Sequence, residues 1–322
     1  GKHRFSIGLW LGSAVTPNAL ESLYHPKIPG GFEMLTRETR GEGEPAQVTE
    51  CPVCAAALAM VHSEEGGNPQ PLFIRIEGHD PECRPSLEDL TTSYVEVKSY
   101  RIVKLTDSLS CLELKVGGKD GRALTPALLD EWWELMSREF GEECRGLCAR
   151  ASRPGYFVQQ FQTRRGANRD WRIEIFCPNP DCPTAQYSWR EGLPVPIGGT
   201  ERGFQAVHPA FASSQDLALG LSCPIPAVTV DDQIYSWPPS LLVSTVDKFA
   251  RLAFEPRAAC LFGNVEHYHP HEGYYREHCC RTNRDAPHPR FAQTSTRVTP
   301  LPPPDMILQD ELHLIDGPLG SM

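Results

Sequence analysis

No apolar run in the sequence approaches the ~20 residues that a helix needs to cross a bilayer. The longest candidate, residues 221–230, is broken by Pro224 and Pro226, so no membrane contact is expected. An excess of positive charge is also missing: 31 lysines and arginines stand against 41 aspartates and glutamates, a formal charge of -10. That balance excludes a polyanion-binding surface of the histone or basic-arm kind, so any nucleic-acid contact must be local. A secretory signal is lacking too, because the apolar stretch after Arg4 is short and interrupted by Ser6 and Gly8. Nor is there a G-x-x-x-x-G-K-S/T phosphate loop: Gly1-Lys2 is followed by His3, and Gly117-Gly118-Lys119 by Asp120.

What is present is a chain of 322 residues, 40% of them apolar, which can bury a core as one large domain or two ordinary ones. It starts without a methionine, and Met322 follows a run with no tail composition, so a fragment of a longer, soluble, cytoplasmic protein is expected.

Twelve cysteines without a secretory signal point to metal ligands before a disulfide framework. Cys51-Pro52-Val53-Cys54 is a C-x2-C knuckle, and Cys177-Pro178-Asn179-Pro180-Asp181-Cys182 is a C-x4-C knuckle. Two such turns bring four thiolates to one Zn2+ at ~2.3 Å, closing a tetrahedron. The alternatives are a thioredoxin-like redox pair at Cys51 and Cys54, or unrelated buried thiols. A redox pair should open a helix after a strand, whereas the polar run over residues 37–50 carries no strand signal. Paired knuckles usually lie ~15 to 20 residues apart, and here residues 55–176 intervene, so something sizeable is inserted between them.

Other cysteines carry weaker signals. Cys144 and Cys148 lie i, i+4 after a helix that starts with Thr125 as cap and Pro126 in first position; they could hold a metal from one helical face, and half-buried thiols on a helix end are the plainer reading. Cys83, Cys111, Cys223 and Cys260 stand alone. The region from His267 to Cys280 offers His269, His271, Cys279 and Cys280 as ligands of a second zinc, with a polar histidine-rich loop as the competing reading.

Along the chain, residues 5–12 alternate like a strand and residues 15–20 then cap a short helix, a strand-to-helix turn. Strands are expected over 93–100, 155–161 and 171–176, with a basic turn at Arg164, Arg165 and Arg169 that reads first as a solvated turn and second as a contact to phosphates. Residues 240–245 form a short apolar strand that leads into a helix over 246–252, capped by Thr245 or Asp247. A second buried strand is expected over 305–309 after Pro302-Pro303-Pro304. Uniformly apolar strands of this kind suit a parallel sheet covered on both faces, hence an α/β fold.

The second strand would run into Asp310-Glu311-Leu312-His313. Carboxylates at the carboxyl end of a parallel strand occupy the crevice where α/β proteins bind ligands. An aspartate there can hold Mg2+, and the next glutamate can take the proton of a water attacking a γ-phosphate. A solvated acidic pair is the plainer alternative.

These residues carry a resemblance. Asp310-Glu311-Leu312-His313 is similar to the D-E-x-H motif II of superfamily 2 helicases, and Ser244-Thr245-Val246-Asp247 resembles the segment in which those enzymes grip a nucleic-acid backbone. The longer strings over 244–250, 261–263 and 304–322, with residues 5–18 and both knuckles, resemble the helicase-like DrmA family of bacterial DISARM anti-phage defence. Residues 69–166 resemble nothing we can name.

The resemblance implies a RecA-like parallel-sheet lobe with a large zinc-binding insertion. Residues 1–48 would form its first part, 49–198 an inserted zinc-ribbon-like region, and 199–322 its continuation to motif II. It further implies ATP-driven DNA translocation, with ATP, Mg2+ and Zn2+ as cofactors, contacts to the DNA backbone, and a DrmB-like partner subunit. Asp310 would hold Mg2+, Glu311 would activate water, and His313 would couple nucleotide state to DNA. Thr245, Asp247 and Lys248 would contact nucleic acid. Without a Walker A motif or a second lobe, this stretch alone is expected to be inactive. The alternative is a zinc-stabilised nucleic-acid or protein interaction module without ATPase activity.

Overall fold

The computed structural model describes residues 5–20, 29–36, 43–60, 72–79, 86–104, 110–139, 150–162, 169–182, 187–190, 193–196, 225–269, 273–276 and 296–308. Its organising element is a three-stranded parallel sheet with β1 (Ile7–Trp10) in the centre. On one side lies β9 (Ala227–Val228) and on the other β10 (Leu241–Ser244), paired from Ile7↔Leu241 to Trp10↔Ser244. Gly8 leaves room for the Pro239 ring, which would stand 2.6 Å from a Cβ at that position.

Trp10, at the end of β1, packs with Ile234, Tyr235 and Ala258. These come from α3 (Asp231–Ser236) and from a 3-10 turn (Pro256–Phe262). The register puts Ile7, Leu241 and Val243 on the opposite face, where they are 41%, 47% and 47% exposed. Among the described residues the sheet is thus covered on one face, not on the two that its apolar strands led us to expect.

Two further expectations are corrected. Residues 15–20 cap no helix among the described residues: Val15 and Thr16 donate to Gly12 O, and Thr16 Oγ1 donates to Leu11 O, which closes a turn. Residues 305–308 form no strand, and Met306, Ile307 and Leu308 are exposed; Gln309 lies outside the described residues. The chain is pinned where Leu301 N donates to Gly263 O, and three following prolines remove the backbone donors a sheet would need.

A short helix, α1 (Gly31–Thr36), places Leu35 in the core that holds the cysteine knuckles. Between the knuckles, β2 (Leu72–His79), β4 (Ser110–Gly118) and β3 (Val95–Lys104) form an antiparallel sheet in that order. Its inner face carries Ile74, Val97, Leu112 and Leu114, and α2 (Pro126–Glu139) packs Leu129, Trp132 and Met136 against it. The helix starts as expected, with Thr125 Oγ1 accepting Leu128 N at 3.3 Å. The expected strands over 155–161 and 171–176 form a hairpin of β5 (Tyr156–Gln162) and β6 (Arg169–Ile175). A smaller hairpin pairs β7 (Tyr187–Arg190) with β8 (Leu193–Pro196). A last antiparallel sheet joins β12 (Gly273–Tyr275), β11 (His267–His269) and β13 (Thr296–Arg297).

The parallel sheet is tied together beyond its strands by a buried ion pair. Lys248, in α4 (Val246–Arg251), is 1% exposed, and its Nζ donates to Asp231 Oδ2 at 2.5 Å and to Asn18 Oδ1 at 2.7 Å. Tyr235 OH reaches the same carboxylate and accepts Trp10 Nε1. Burial, reinforced by the charge of Asp231, pushes the Tyr235 hydroxyl up, so it remains a donor. Breaking a buried pair by removing one partner leaves an uncompensated charge, at about 3–5 kcal/mol. Lys248→Ala is therefore expected to lose stability of that order in denaturant unfolding, while Asp247→Ala, at an exposed neighbour, is expected to stay within about 0.5 kcal/mol.

Candidate metal centre

Each knuckle is a local consequence of its sequence. Around the first, Glu50 and Ala57 form an antiparallel bridge, Cys51 N donates to Ala56 O and Ala55 N to Cys51 O. Closing so tight a turn puts Ala55 at φ 56, a left-handed conformation that a side chain seldom adopts. Around the second, Cys182 N donates to Asn179 O and Asp181 N to Asn179 Oδ1, so the asparagine shapes the turn with backbone and side chain together. Strand β6 delivers Cys177 directly, two residues after Ile175.

The four sulfurs of Cys51, Cys54, Cys177 and Cys182 lie within 4.8 Å of one another. Two approaches run across the knuckles, 3.8 Å from Cys51 to Cys182 and 3.5 Å from Cys54 to Cys177. Ligands ~2.3 Å from a tetrahedral centre stand about 3.8 Å apart. The cluster therefore has the donor set and spacing to hold a metal ion such as zinc. Three of the cysteines are buried, and Cys54 is half-buried at the rim.

The polar surroundings also suit bound thiolates. Ala56 N donates to the Cys54 sulfur, Asn179 N to that of Cys177, and Asn179 Nδ2 lies 3.6 Å from Cys54 Sγ. Burial pushes the thiols of Cys54 and Cys177 up. An ion must therefore displace protons to bind, which thiolate coordination requires. The redox alternative finds no support in this geometry: the C-x2-C turn follows an isolated bridge, and its sulfurs face a second cysteine pair.

The sequence reading missed Asn179, although a Cys-Pro-Asn run in a knuckle is the signal that could have found it. Other expected site residues lie elsewhere. In the candidate second zinc site, His269 is placed only by its backbone, opposite Gly273, while His271, Cys279 and Cys280 lie outside the described residues. So do Asp310, Glu311 and His313. Thr245 caps α4 at the end of β10, and its Oγ1 is buried with no hydrogen-bond partner among the described residues. Asp247 is exposed. Lys248, expected at a nucleic-acid backbone, is instead buried on Asp231, because that carboxylate and Asn18 take its ammonium inward.

No family model matches the chain. A stretch of 98 residues, 30% of this chain, is 42% identical to the DISARM protein DrmA of Bacillus paralicheniformis. The stretch spans 8% of that protein's length. The chain thus resembles DrmA over part of its length, in keeping with the motifs that suggested it.

One zinc per chain is the expected metal content. Cys182→Ser is expected to abolish it and Cys260→Ser, at a buried thiol outside the cluster, to leave it intact. Asn179→Ala removes an outer-shell donor to sulfur and is expected to weaken zinc affinity about 10–100-fold in competition with a chromophoric chelator.

Proposed function

We propose that this chain is a segment of an ATP-dependent DNA helicase or translocase acting in DISARM-type anti-phage defence. The observation that carries the reading is the 42% identity to DrmA over 98 residues. In this reading residues 1–48 and 199–322 belong to a RecA-like lobe, and residues 49–198 form its zinc-binding insertion. The parallel sheet supports it: β1 and β10 end together at Trp10 and Ser244, the edge where α/β proteins place ligands.

The catalytic work falls to the residues after the last described segment. Asp310 would hold Mg2+ of the bound ATP, and Glu311 would take the proton of the attacking water. His313 would link that site to the DNA track. Thr245 would donate its hydroxyl to a backbone phosphate oxygen, an acceptor that its buried Oγ1 lacks among the described residues. Asp247 lies beside it, exposed in the first helical turn of α4. Lys248 takes no part in that contact and holds α4 in place through Asp231. The four cysteines would keep a structural Zn2+ that closes the insertion onto the lobe. The full-length protein would act in the cytoplasm with a DrmB-like partner subunit.

Glu311→Gln in the full-length protein removes the proton acceptor and little else. DNA-stimulated ATP hydrolysis is expected to fall by more than about a hundredfold, with ATP binding, DNA binding and zinc content unchanged. Wild-type turnover in that variant would contradict the reading and favour a zinc-stabilised interaction module.

A further inference from the structure

The four sulfurs of the cluster are not equally sheltered. Cys177 and Cys182 are 0% exposed and Cys51 is 3% exposed, whereas Cys54 sits half-buried at the rim. Pro52, Val53 and Ala55 on its turn are exposed, so an agent arriving from solvent meets Cys54 before the other three. The rim sulfur also has a partner on the opposite knuckle. Cys54 Sγ stands 3.5 Å from Cys177 Sγ, and Cys51 Sγ stands 3.8 Å from Cys182 Sγ, across 123 and 131 positions of sequence. A disulfide is ~2.05 Å long, so an approach of about 1.5 Å would join Cys54 to Cys177.

Cysteine oxidation follows thiolate character and access. A bound metal ion holds all four sulfurs as thiolates. Of the four, Cys54 alone combines that state with access, and the fully buried Cys177 is reached from its side.

We propose that the cluster is a peroxide-sensitive metal site, opened at Cys54 and resolved by Cys177 across the two knuckles. The Cys54 thiolate attacks one oxygen of hydrogen peroxide: an S–O bond forms, the O–O bond breaks, and the departing hydroxide takes a proton and leaves as water. Cys54 has then given up two electrons and stands as a sulfenic acid. The Cys177 thiolate attacks that sulfur; the S–S bond forms, the S–O bond breaks, and a second hydroxide leaves as water. Two thiolates, one peroxide and two protons become one disulfide and two waters. Two of the four ligands are thereby lost and a bound ion is released, yet the disulfide ties the same two knuckles that the ion had held. A thioredoxin-like couple differs, since its two sulfurs belong to a single C-x2-C turn. The inference rests on a metal ion at the cluster and needs neither ATP nor DNA.

The test treats the zinc-loaded full-length protein with equimolar hydrogen peroxide, follows zinc release with a chromophoric chelator, and maps disulfides in unreduced peptides by mass spectrometry. Zinc is expected to appear in proportion to the peroxide consumed, together with a linked peptide pair carrying Cys54 and Cys177. A dithiol reductant is expected to restore zinc binding. Cys54→His keeps a ligand that zinc accepts beside three cysteines and removes the rim thiolate, so it is expected to hold zinc and to lose the peroxide-driven release. Cys260→Ser, outside the cluster, is expected to respond as wild type. Zinc retained under peroxide, or released with the sulfurs joined within one knuckle, would overturn the switch and leave the metal centre standing. Release from Cys54→His at the wild-type rate would refute the opening role of Cys54. Full-length protein that binds no zinc at all would remove the metal centre and the switch with it.

Discussion

The rest of the fold depends on bringing Cys54 to Cys177, 123 positions apart in the sequence, with their sulfurs 3.5 Å from each other. Closing so long a loop costs chain entropy that the local turns cannot supply, since each knuckle stabilises only itself. The packing available at the junction is modest. The core there is made of Leu35, Ala46, Leu58, Tyr156, Ile173, Ile175 and small alanines, with three of the cysteines themselves filling its centre. A metal ion at the four sulfurs would add binding free energy to folding free energy at the point where the two ends of the insertion meet.

That junction also reaches the parallel sheet. Val230, which follows β9, is fully buried in the cysteine core. Ile225 N donates to Ile175 O at 2.6 Å, Gln233 Nε2 to Ile173 O at 2.9 Å, and Thr229 Oγ1 to Pro45 O at 2.7 Å. The order of dependence runs from the cluster through β6 to β9 and α3. Asp231, the first residue of α3, fixes Lys248, and Lys248 fixes the helix whose cap is Thr245. Arg257, bonded to Asp232 at 2.7 Å and lying over the Tyr235 ring, braces α3 from its other side. The edge of the sheet proposed to meet DNA is thus several interactions removed from the cysteines yet connected to them throughout.

What could be read in the sequence was local. Cysteine spacing announced both knuckles, Thr125-Pro126 announced α2, and short apolar runs announced β1, β10 and the later part of β6. What escaped was set by partners distant in the chain. Lys248 in an amphipathic segment reads as a surface cation, and nothing in its neighbours tells that Asp231 and Asn18 converge on it. Met306-Ile307-Leu308 has the composition of a buried strand, but composition does not supply a sheet edge, and the chain anchored at Gly263 leads it away unpaired. Ala55 gives no hint of a left-handed turn, because the hydrogen bonds that close the knuckle, Ala55 N to Cys51 O and Cys51 N to Ala56 O, set its backbone.

The most direct measurement is amide hydrogen exchange on the full-length protein with its metal bound and then stripped. If the cysteine cluster organises the sheet, removing the ion lowers protection in residues 227–236 and 246–251 as well as in both knuckles. Loss of protection confined to residues 51–58 and 176–182, with α3 and α4 unchanged, would contradict that dependence and leave the cluster a local staple.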